Sequence, residues 1–288
     1  MKYITEDFVK GNLPKRPDDA NKGTMGTLLN ISGSYSMAGA CTLSSLSALR
    51  SGVGLLKVAL PKSIYPIVSS SVYEAVFLPF EESAQGTVDV NSLDFLLENA
   101  KNCSAVMLGC GLKLCEETIE FVKEFVSSCK TPMLIDADGI NAVSKNIDIL
   151  THSKTDIVIT PHPKEMSRIS GLSVEYIQSN RVVVAEKIAR KLSVTVVLKG
   201  KDTVVTDGVR TRINKTGNCG MAKGGSGDVL SGIIASLMAQ GVDSFEACCV
   251  GVYIHGFSGD LAARDLSKIS MLPRDIVNFL PKAFRNVE

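Results

Sequence analysis

The sequence predicts an α/β fold with a central, mainly parallel sheet that is covered by helices on both faces. Short, continuous apolar strands alternate with helical segments along most of the chain. Strands of this kind are buried on both faces, which is typical of parallel sheets. Because the 288 residues show no linker, no break in composition and no repeat, we expect one domain that spans residues 1–288.

The predicted strands are apolar runs that end at glycine, proline or charged residues. After a polar lead-in with one short helix at residues 1–26, they cover residues 27–31, 53–60, 75–78, 105–108, 132–135, 156–159 and 195–198. The main predicted helices cover residues 38–51, 63–70, 92–100, 116–127, 181–191, 228–240, 244–264 and 273–280. A hairpin pairs 203–206 with 209–213 through a two-residue turn at Asp207-Gly208, which should place antiparallel strands at one edge of the sheet.

The composition argues against several classes of protein. The chain carries 31 basic and 30 acidic residues, so no excess of positive charge points to nucleic acid. No apolar run approaches the ~18 residues of a membrane span, and the first residues lack the apolar core of a signal peptide. The eight cysteines lie mostly in apolar runs without a C-x-x-C pair, which favours buried free thiols in a cytoplasmic protein over disulfides.

A glycine-dense loop at residues 215–228 opens the predicted helix 228–240 and ends on an acid, Asp228. Such a loop leaves backbone N–H groups free at the start of the helix, where the helix dipole also favours a bound anion. We therefore expect Gly225, Ser226 and Gly227 to hold the charge of a phosphate group. Asp228 could take a proton from a hydroxyl that receives a phosphoryl group, or it could simply cap the helix.

Five further groups of unusual residues come directly after predicted strands. In an open parallel sheet, all such positions lie along the same edge, and ligands bind there. The groups are Gly33-Ser34, Gly109-Cys110-Gly111, Asp136-Ala137-Asp138, His162 with Glu165, and Lys199-Gly200-Lys201. Since loops collect glycine and aspartate in any case, His162, Glu165 and Lys199 carry most of this argument.

Several of these side chains allow more than one interpretation. Asp136 and Asp138 could form a magnesium site through water, or they could form a turn and the N-cap of the next helix. His162 could bind substrate or lie at the surface of a proline-rich turn, and Glu165 could help to hold a hydrated metal ion. Lys199 could contact a phosphate or remain solvated. The sequences typical of a P-loop and of a dinucleotide-binding Rossmann turn are not found, so neither class is supported.

Residues 217–232, Gly-Asn-Cys-Gly-Met-Ala-Lys-Gly-Gly-Ser-Gly-Asp-Val-Leu-Ser-Gly, resemble the signature of ADP/ATP-dependent NAD(P)H-hydrate dehydratases, a branch of the ribokinase-like superfamily. Four other segments, at 33–40, 136–141, 160–165 and 197–203, support the resemblance and follow the order of the family. Together these segments span nearly the whole chain. The resemblance implies a ribokinase-like fold.

The resemblance also implies an enzyme that repairs damaged nicotinamide cofactors. Members of the family use ADP, typically in bacteria, or ATP to restore NADH and NADPH from their (6S)-hydrates, NADHX and NADPHX. Because hydroxide is a poor leaving group, phosphorylation of the hydrate hydroxyl makes its elimination easy. The expected cofactors are Mg²⁺ and ADP, or ATP, as co-substrate. The chain has no room for the epimerase domain of many relatives, so we expect a stand-alone dehydratase, a separate epimerase as functional partner, and a homo-oligomer such as the family's tetramers.

The resemblance implies roles for residues at matching positions. Asp228 would contact the hydrate and act as the base, and Glu165 would act on magnesium through water. The other implied hydrate contacts are Ala40, Gly109, Gly111 and His162. The implied nucleotide contacts are Lys199, Gly200, Lys201, Asp202, Thr203 and Gly227.

The chain departs from the family pattern at a few positions. Lys164 stands where a glycine is common, Ser226 and Cys219 are mild replacements of Thr and Ala, and the main departure is in the turn after the strand 105–108. The family usually has Gly-Pro-Gly-Leu-Gly there, whereas this chain has Gly109-Cys110-Gly111-Leu112-Lys113. The turn therefore lacks a rigid proline and a final glycine.

Two other functions remain open from the sequence. The nearest is a kinase of the same fold that phosphorylates a hydroxymethylpyrimidine or thiazole alcohol, although such a kinase is not expected to carry Thr160-Pro161-His162-Pro163. A nucleotide-binding regulatory protein without catalysis is the alternative from another class.

Overall fold

The computed structural model of the protein describes residues 2–153 and 155–288. Within these residues, ten strands form a single sheet. In chain order, β1 to β10 are Lys2–Tyr3, Thr27–Ile31, Leu55–Pro61, Val76–Phe80, Ala105–Leu108, Met133–Ile135, Ile157–Ile159, Thr195–Leu198, Val204–Thr206 and Thr211–Ile213. The α-helices of the same residues, α1 to α13, are Glu6–Asn12, Ala38–Arg50, Tyr65–Ser69, Leu93–Lys101, Glu116–Ser128, Asp138–Val143, Asp148–Thr151, Pro163–Ser170, Val174–Ser179, Arg181–Leu192, Ser226–Ala239, Ser244–Leu266 and Pro273–Arg285.

The sheet is mainly parallel, as predicted. Its strand order is β1-β10-β9-β8-β7-β6-β5-β2-β3-β4. Among the described strands, β9 alone runs against the others, because it is antiparallel to both β8 and β10. The hairpin therefore lies near one edge but does not form it. The edge is β1, an additional strand that the sequence did not predict and that pairs in parallel with β10.

Helices cover both faces of the sheet, which confirms the predicted fold class. Because adjacent residues of a strand point to opposite faces, Leu28 and Leu29 of β2 enter two different cores. The core around Leu28 includes side chains of α2, α11, α12 and α13. The core around Leu29 includes side chains of α4, α5, α6 and α10. None of the helices in the described residues is long and apolar enough to span a membrane.

Helix α11 is buried along nearly its whole length against α2. A Cβ atom at Gly232 would lie 2.0 Å from Ser47 Oγ and 2.2 Å from the carbonyl oxygen of Ser44. Only glycine therefore allows the two helices to pack at this distance. The small residues of α2 serve this contact, and α11 begins at Ser226, slightly earlier than the sequence predicts.

The connection between β9 and β10 differs from the prediction. Thr206 pairs with Thr211, so the connection is the longer loop 207–210 and the predicted two-residue turn is wrong. An Asp207 carboxylate oxygen accepts hydrogen bonds from the N–H groups of Val209 at 2.9 Å and Arg210 at 2.6 Å. The Asp207 carboxylate thus satisfies these two backbone N–H groups, which have no partner in a neighbouring strand of the described residues.

The eight cysteines are all free thiols, as the sequence predicts. Burial varies more than expected, because Cys219 is exposed and Cys103 and Cys115 are only partly buried. The buried cysteines are Cys41, Cys110, Cys129, Cys248 and Cys249.

Candidate active site

The five groups that follow β2, β5, β6, β7 and β8 lie at one edge of the sheet, because these strands are parallel neighbours. Backbone hydrogen bonds join the groups to one another. The N–H of Gly33 donates to the carbonyl of Cys110 at 2.8 Å, and the N–H of Lys199 donates to the carbonyl of Pro161 at 2.9 Å. The carboxyl edge therefore brings together residues that are far apart in sequence.

The glycine-dense loop is anchored to α12 by Asp260. One oxygen of its carboxylate accepts from the N–H of Gly217 at 2.9 Å, and the other accepts from Asn218 Nδ2 at 2.9 Å. Lys223 Nζ donates to the carbonyls of Ile269 at 2.7 Å and Met271 at 2.5 Å, so this lysine fastens the loop to the segment before α13. No spacing in the sequence indicated Asp260, because it lies 43 residues after Gly217, on the far side of α11 along the chain.

The start of α11 presents backbone donors to the carboxyl edge. Gly225 is the N-cap residue, and its φ of 100° is favourable only for glycine. Within residues 2–153 and 155–288, the N–H groups of Gly227 and Asp228 have no acceptor. The N–H of Ser226 donates to the carbonyl of Lys223 and its hydroxyl donates to that of Met221, and its contact with a phosphate stays a prediction. An anion at this position would meet open N–H groups and the positive end of the helix dipole.

Asp228 does not cap the helix, since Gly225 occupies the N-cap position and no side chain caps this end. Burial raises the pKa of the Asp228 carboxyl to about 6, and the negative charge of Asp136 acts in the same direction. The Cys110 thiol, which hydrogen-bonds to Asp228, and the charge of Lys199 partly oppose this rise in pKa. A carboxylate with a pKa close to neutral can accept a proton and is suited to general base catalysis.

Asp136 and Lys199 form a buried ion pair beneath α11. Lys199 Nζ donates to Asp136 Oδ1 at 2.6 Å, and Ser231 Oγ donates to Asp136 Oδ2 at 2.7 Å. Burial acts to raise the pKa of Asp136, but the charge and hydrogen bond of Lys199 outweigh it and hold that pKa below its usual value. The alternative of a solvated lysine is therefore wrong, because the Lys199 side chain is only 18% exposed. Both oxygens of Asp136 are occupied by protein donors.

His162 and Glu165 together cap α8, a helix that the sequence did not predict. The N–H of His162 donates to Glu165 Oε2 at 2.7 Å, while His162 Nδ1 accepts from the N–H groups of Lys164 and Glu165, both at 3.1 Å. Since Nδ1 accepts, we place the imidazole proton on Nε2. Burial and the charge of Lys199 lower the pKa of His162, which keeps the ring neutral. Burial raises the pKa of Glu165 to about 7, although Lys199, whose Nζ is 3.9 Å from its Oε2, opposes the rise.

Asp138 takes a different position from the one predicted. It is the first residue of α6, whose N-cap is Ala137. Its Oδ2 accepts a hydrogen bond from the N–H of Lys113 at 2.9 Å. Asp138 therefore supports the turn that follows β5 instead of capping its own helix.

The turn after β5 is packed tightly against its neighbours. A Cβ atom at Gly109 would lie 1.9 Å from the carbonyl oxygen of Asp136, and one at Gly111 would lie 2.7 Å from the Cβ of Ala40. Gly111 therefore lies directly against Ala40, whereas Gly109 lies against the backbone of Asp136. The contact of Ala40, Gly109 and Gly111 with a hydrate stays a prediction. Lys113 stands where the family usually has glycine, and its φ of 63° is in the left-handed region that glycine favours.

Arg181, which the sequence analysis did not single out, holds the start of the predicted nucleotide segment Lys199–Thr203 by hydrogen bonds to its backbone. Arg181 Nη2 donates to the carbonyls of Leu198 at 2.7 Å and Lys199 at 3.2 Å. Gly200 has a φ of 137°, and a Cβ there would lie 3.2 Å from Arg181 Nη1. A cavity of about 300 Å³, lined in part by Arg181 and Asp202, adjoins the segment.

The carboxylates of the carboxyl edge suit a hydrated magnesium ion better than a fully protein-bound one. In the described part of the chain, no group of three or more His, Cys, Asp or Glu side chains is arranged to hold a metal ion. Magnesium usually keeps several waters and binds one or two carboxylates together with phosphates. Glu165 fits that pattern, because its Oε2 is used in the cap of α8 while its Oε1 makes only a 3.4 Å contact with His162 Nε2.

Known proteins resemble the chain over its whole length. A family model described as NAD(P)H-hydrate dehydratase matches residues 28–282. The bifunctional NAD(P)H-hydrate repair enzyme Nnr of Moorella thermoacetica is 37% identical over 289 residues, which are 100% of this chain and 54% of that protein. The ADP-dependent (S)-NAD(P)H-hydrate dehydratase of Bacillus subtilis is 32% identical over 290 residues, or 99% of each chain.

The fold is shared with a solved structure as well. The crystal structure of the Bacillus subtilis ADP/ATP-dependent NAD(P)H-hydrate dehydratase, co-crystallised with ATP/Mg²⁺, has a TM-score of 0.86 and 30% identity over 100% of this chain and 99% of that one. The chain spans about half the length of the bifunctional relatives that it matches. The similarity thus extends far beyond the glycine-dense stretch at 217–232. The chain belongs to the NAD(P)H-hydrate dehydratase family.

Proposed function

We propose that this chain catalyses the ADP-dependent dehydration of the (6S)-hydrates NADHX and NADPHX back to NADH and NADPH. The observation that carries the proposal is the position of Asp228. This carboxylate, whose pKa is raised to about 6, lies in the first turn of α11 beside backbone N–H groups that are open to an anion. A proton acceptor and a phosphate site are thus placed side by side, and membership of the family supports the same activity.

The reaction has two steps. In the first, Asp228 takes the proton of the hydrate hydroxyl, and the oxygen of that hydroxyl bonds to the terminal phosphorus of ADP. The bond from this phosphorus to the bridging oxygen breaks, and AMP leaves. In the second, the C–O bond breaks, phosphate leaves with the bonding electrons, and loss of a proton from the neighbouring ring carbon restores the double bond. Hydrate and ADP therefore yield the reduced cofactor, AMP and phosphate, with no change in oxidation state.

The chain's own residues stabilise the charge that develops during transfer. The N–H groups of Gly227 and Asp228, which have no acceptor in the described residues, would face the transferred group, and the Lys199 ammonium lies close to Gly227. Preorganised donors of this kind typically contribute a large share of catalysis. His162, neutral and protonated on Nε2, can donate a hydrogen bond to the hydrate. Magnesium, when bound, would neutralise phosphate charge, and Glu165 would reach it through water.

The direct test supplies purified NADHX or NADPHX with ADP and Mg²⁺ and follows the absorbance of reduced nicotinamide. We expect reduced cofactor to appear with one AMP released per hydrate consumed, and no reaction without nucleotide. ATP in place of ADP decides the nucleotide preference. A stable phosphorylated alcohol formed from a hydroxymethylpyrimidine or thiazole alcohol, without repair of the hydrate, would instead establish the alternative kinase activity.

We further propose that the chain works as one domain over residues 1–288, as a homo-oligomer such as a tetramer, with a separate hydrate epimerase as functional partner. Support for the single domain comes from one sheet that contains strands from β1 to β10. Light scattering on the purified protein measures the oligomer. Addition of an epimerase to a mixture of both hydrate epimers should raise the final yield of NADH. The cytoplasmic location stays a prediction.

A further inference from the structure

The Asp136 carboxylate is buried in the candidate active site, and its hydrogen-bond donors are side chains from two other elements of the fold. Its Oδ1 accepts from Lys199 Nζ at 2.6 Å, and its Oδ2 accepts from Ser231 Oγ at 2.7 Å. The side chain of Asp136 is 1% exposed. Both oxygens are therefore held by protein donors, one from the segment after β8 and one from α11.

Lys199 is held in turn at the start of α11. A Cβ atom at Gly227 would lie 3.5 Å from Lys199 Nζ and 3.7 Å from Asp136 Oδ2. The ammonium thus lies beside the turn whose N–H groups are open to an anion. A second acid competes for it, because Glu165 Oε2 is 3.9 Å from the same nitrogen. The closer pairing with Asp136 holds the Lys199 ammonium beside Gly227, whereas a closer pairing with Glu165 would draw the ammonium toward the cap of α8.

We infer that Asp136 is a positioning residue, which holds the Lys199 ammonium beside Gly227 so that it meets the phosphoryl group that the nucleotide transfers. Ser231 fixes the carboxylate from α11 itself and so couples the position of the lysine to the helix that carries Asp228. The inference rests on the proposed function in one respect, namely that a nucleotide binds with its terminal phosphate at this helix start.

The test compares the affinities of ADP and AMP, measured by calorimetry with Mg²⁺ present, because these ligands differ by the phosphate that Lys199 should meet. In Asp136→Asn, we expect the preference for ADP over AMP to fall about tenfold, the value of one charge-assisted hydrogen bond, with little change in AMP affinity. A role confined to folding would weaken both ligands equally. The matched control is Asp243→Asn, which alters an ion-paired carboxylate beside Arg210 and should change neither affinity.

A double-mutant cycle shows whether Asp136 acts through Lys199. Lys199→Met should also lower the preference for ADP, and adding Asp136→Asn to it should cause no further loss. The double variant replaces a buried ion pair with two neutral side chains, so it should fold even where a single variant is unstable. Ser231→Ala should lower the preference by a smaller factor, whereas Ser258→Ala, which removes another buried hydroxyl, should leave it unchanged.

The outcomes separate this inference from the proposed function. An ADP preference that is unchanged or larger in Asp136→Asn, or a further loss in the double variant, overturns the inference even if the wild type restores NADH from NADHX. Conversely, a wild type that binds ADP but leaves NADHX unrepaired overturns the proposed function. A tenfold loss of ADP preference in Asp136→Asn of that protein would still support the positioning role.

Discussion

The ion pairs around Arg210 and those around Lys199 differ in their exposure to solvent and in their relation to the candidate active site. Beside the start of α12, Arg210 pairs with Asp207 at 2.6 Å, with Glu246 at 2.7 Å and with Asp243 at 3.1 Å, and its side chain is 47% exposed. At the carboxyl edge, Lys199 has one close partner, Asp136, at 2.6 Å and is only 18% exposed. The first group has more contacts, but exposed pairs are individually worth little. The number of ion pairs therefore does not indicate where charge matters for function.

The two groups also differ in the acids around them, although the acids of neither group all shift in one direction. Beside Arg210 the pKa of Glu246 is raised, and beside Lys199 that of Asp136 is lowered. Burial acts to raise the pKa of Asp207, but hydrogen bonds from Arg210 outweigh it and lower that pKa, so the carboxylate stays ionised. At the carboxyl edge, burial raises the pKa of Asp228 to about 6 and that of Glu165 to about 7. Two acids at the carboxyl edge, Asp228 and Glu165, thus lie close to a change of charge state at neutral pH, while Asp136 beside them stays ionised. Such a difference is typical of functional sites.

The largest expected effect follows from replacing an acid in each group. Asp228→Asn should lower kcat for hydrate repair about 10³-fold, because it removes the proposed general base, while ADP affinity stays close to that of the wild type. Asp207→Asn is the matched control and should keep full turnover. Steady-state kinetics with NADHX and calorimetry with ADP provide both measurements. Turnover at the wild-type rate by the Asn variant at position 228 would show that another group takes the proton.

The next effect concerns stability and sharpens the contrast between buried and exposed pairs. Lys199→Met leaves the buried Asp136 without its partner and should lower the free energy of unfolding by about 3–5 kcal/mol. The double variant Lys199→Met with Asp136→Asn should recover most of that loss. Asp243→Asn, in the exposed group, should cost less than about 1 kcal/mol. Urea titrations of the four proteins give the comparison, and equal losses at both places would contradict it.

The sequence predicts local features of the site better than its long-range contacts. The position of Asp228 in the first turn of α11 and the shared edge of the five groups follow from short patterns, because strands and helix starts have local signals. The pairing of Asp136 with Lys199 joins residues from different strands, and no local spacing encodes it. Asp260 escaped notice for the same reason, since it supports a loop from a helix 43 residues further along the chain. Arg181 is nearer in sequence, but no spacing pattern indicates that the first residue of α10 hydrogen-bonds to the end of the next strand.

The errors of the sequence reasoning have a similar origin. Asp207-Gly208 is a strong signal for a two-residue turn, yet the side chain of Asp207 satisfies the loop amides and lets the loop extend to Arg210. The α8 helix was missed because its N-cap is His162, whose ring nitrogen takes the place of the usual hydroxyl or carboxylate acceptor. In each case, a side chain satisfies backbone groups in a way that residue type alone does not predict.

The pH dependence of turnover should also separate the two groups. In the proposed mechanism, Asp228 accepts a proton only when it is ionised, and its raised pKa of about 6 means that the protonated form, which cannot act as the base, accumulates below that pH. We therefore expect kcat/KM to fall about tenfold per pH unit below pH 6 and to level off above it. The residual activity of Asp228→Asn should lack this acid limb, whereas Asp207→Asn should keep it. A profile that stays flat down to pH 4.5 would contradict the assignment.

The smallest expected effect concerns backbone strain in the two regions. The loop beside Arg210 has a glycine at its left-handed position, Gly208, with a φ of 89°, whereas the carboxyl edge has Lys113 at a φ of 63°. A left-handed residue other than glycine costs about 1–2 kcal/mol, of which the greater freedom of an unfolded glycine returns about 0.5–1 kcal/mol. Lys113→Gly should therefore stabilise the protein by about 0.5 kcal/mol in urea titrations.

Lys113→Ala is the control for this last prediction, because it removes the lysine side chain but keeps the strained backbone. It should leave the free energy of unfolding unchanged. The opposite substitution in the other region, Gly208→Ala, should destabilise, since a Cβ there would also lie 2.6 Å from Arg190 Cγ. Equal gains from Lys113→Gly and Lys113→Ala would mean that the side chain of Lys113, and not its backbone, is the source of the strain at the carboxyl edge.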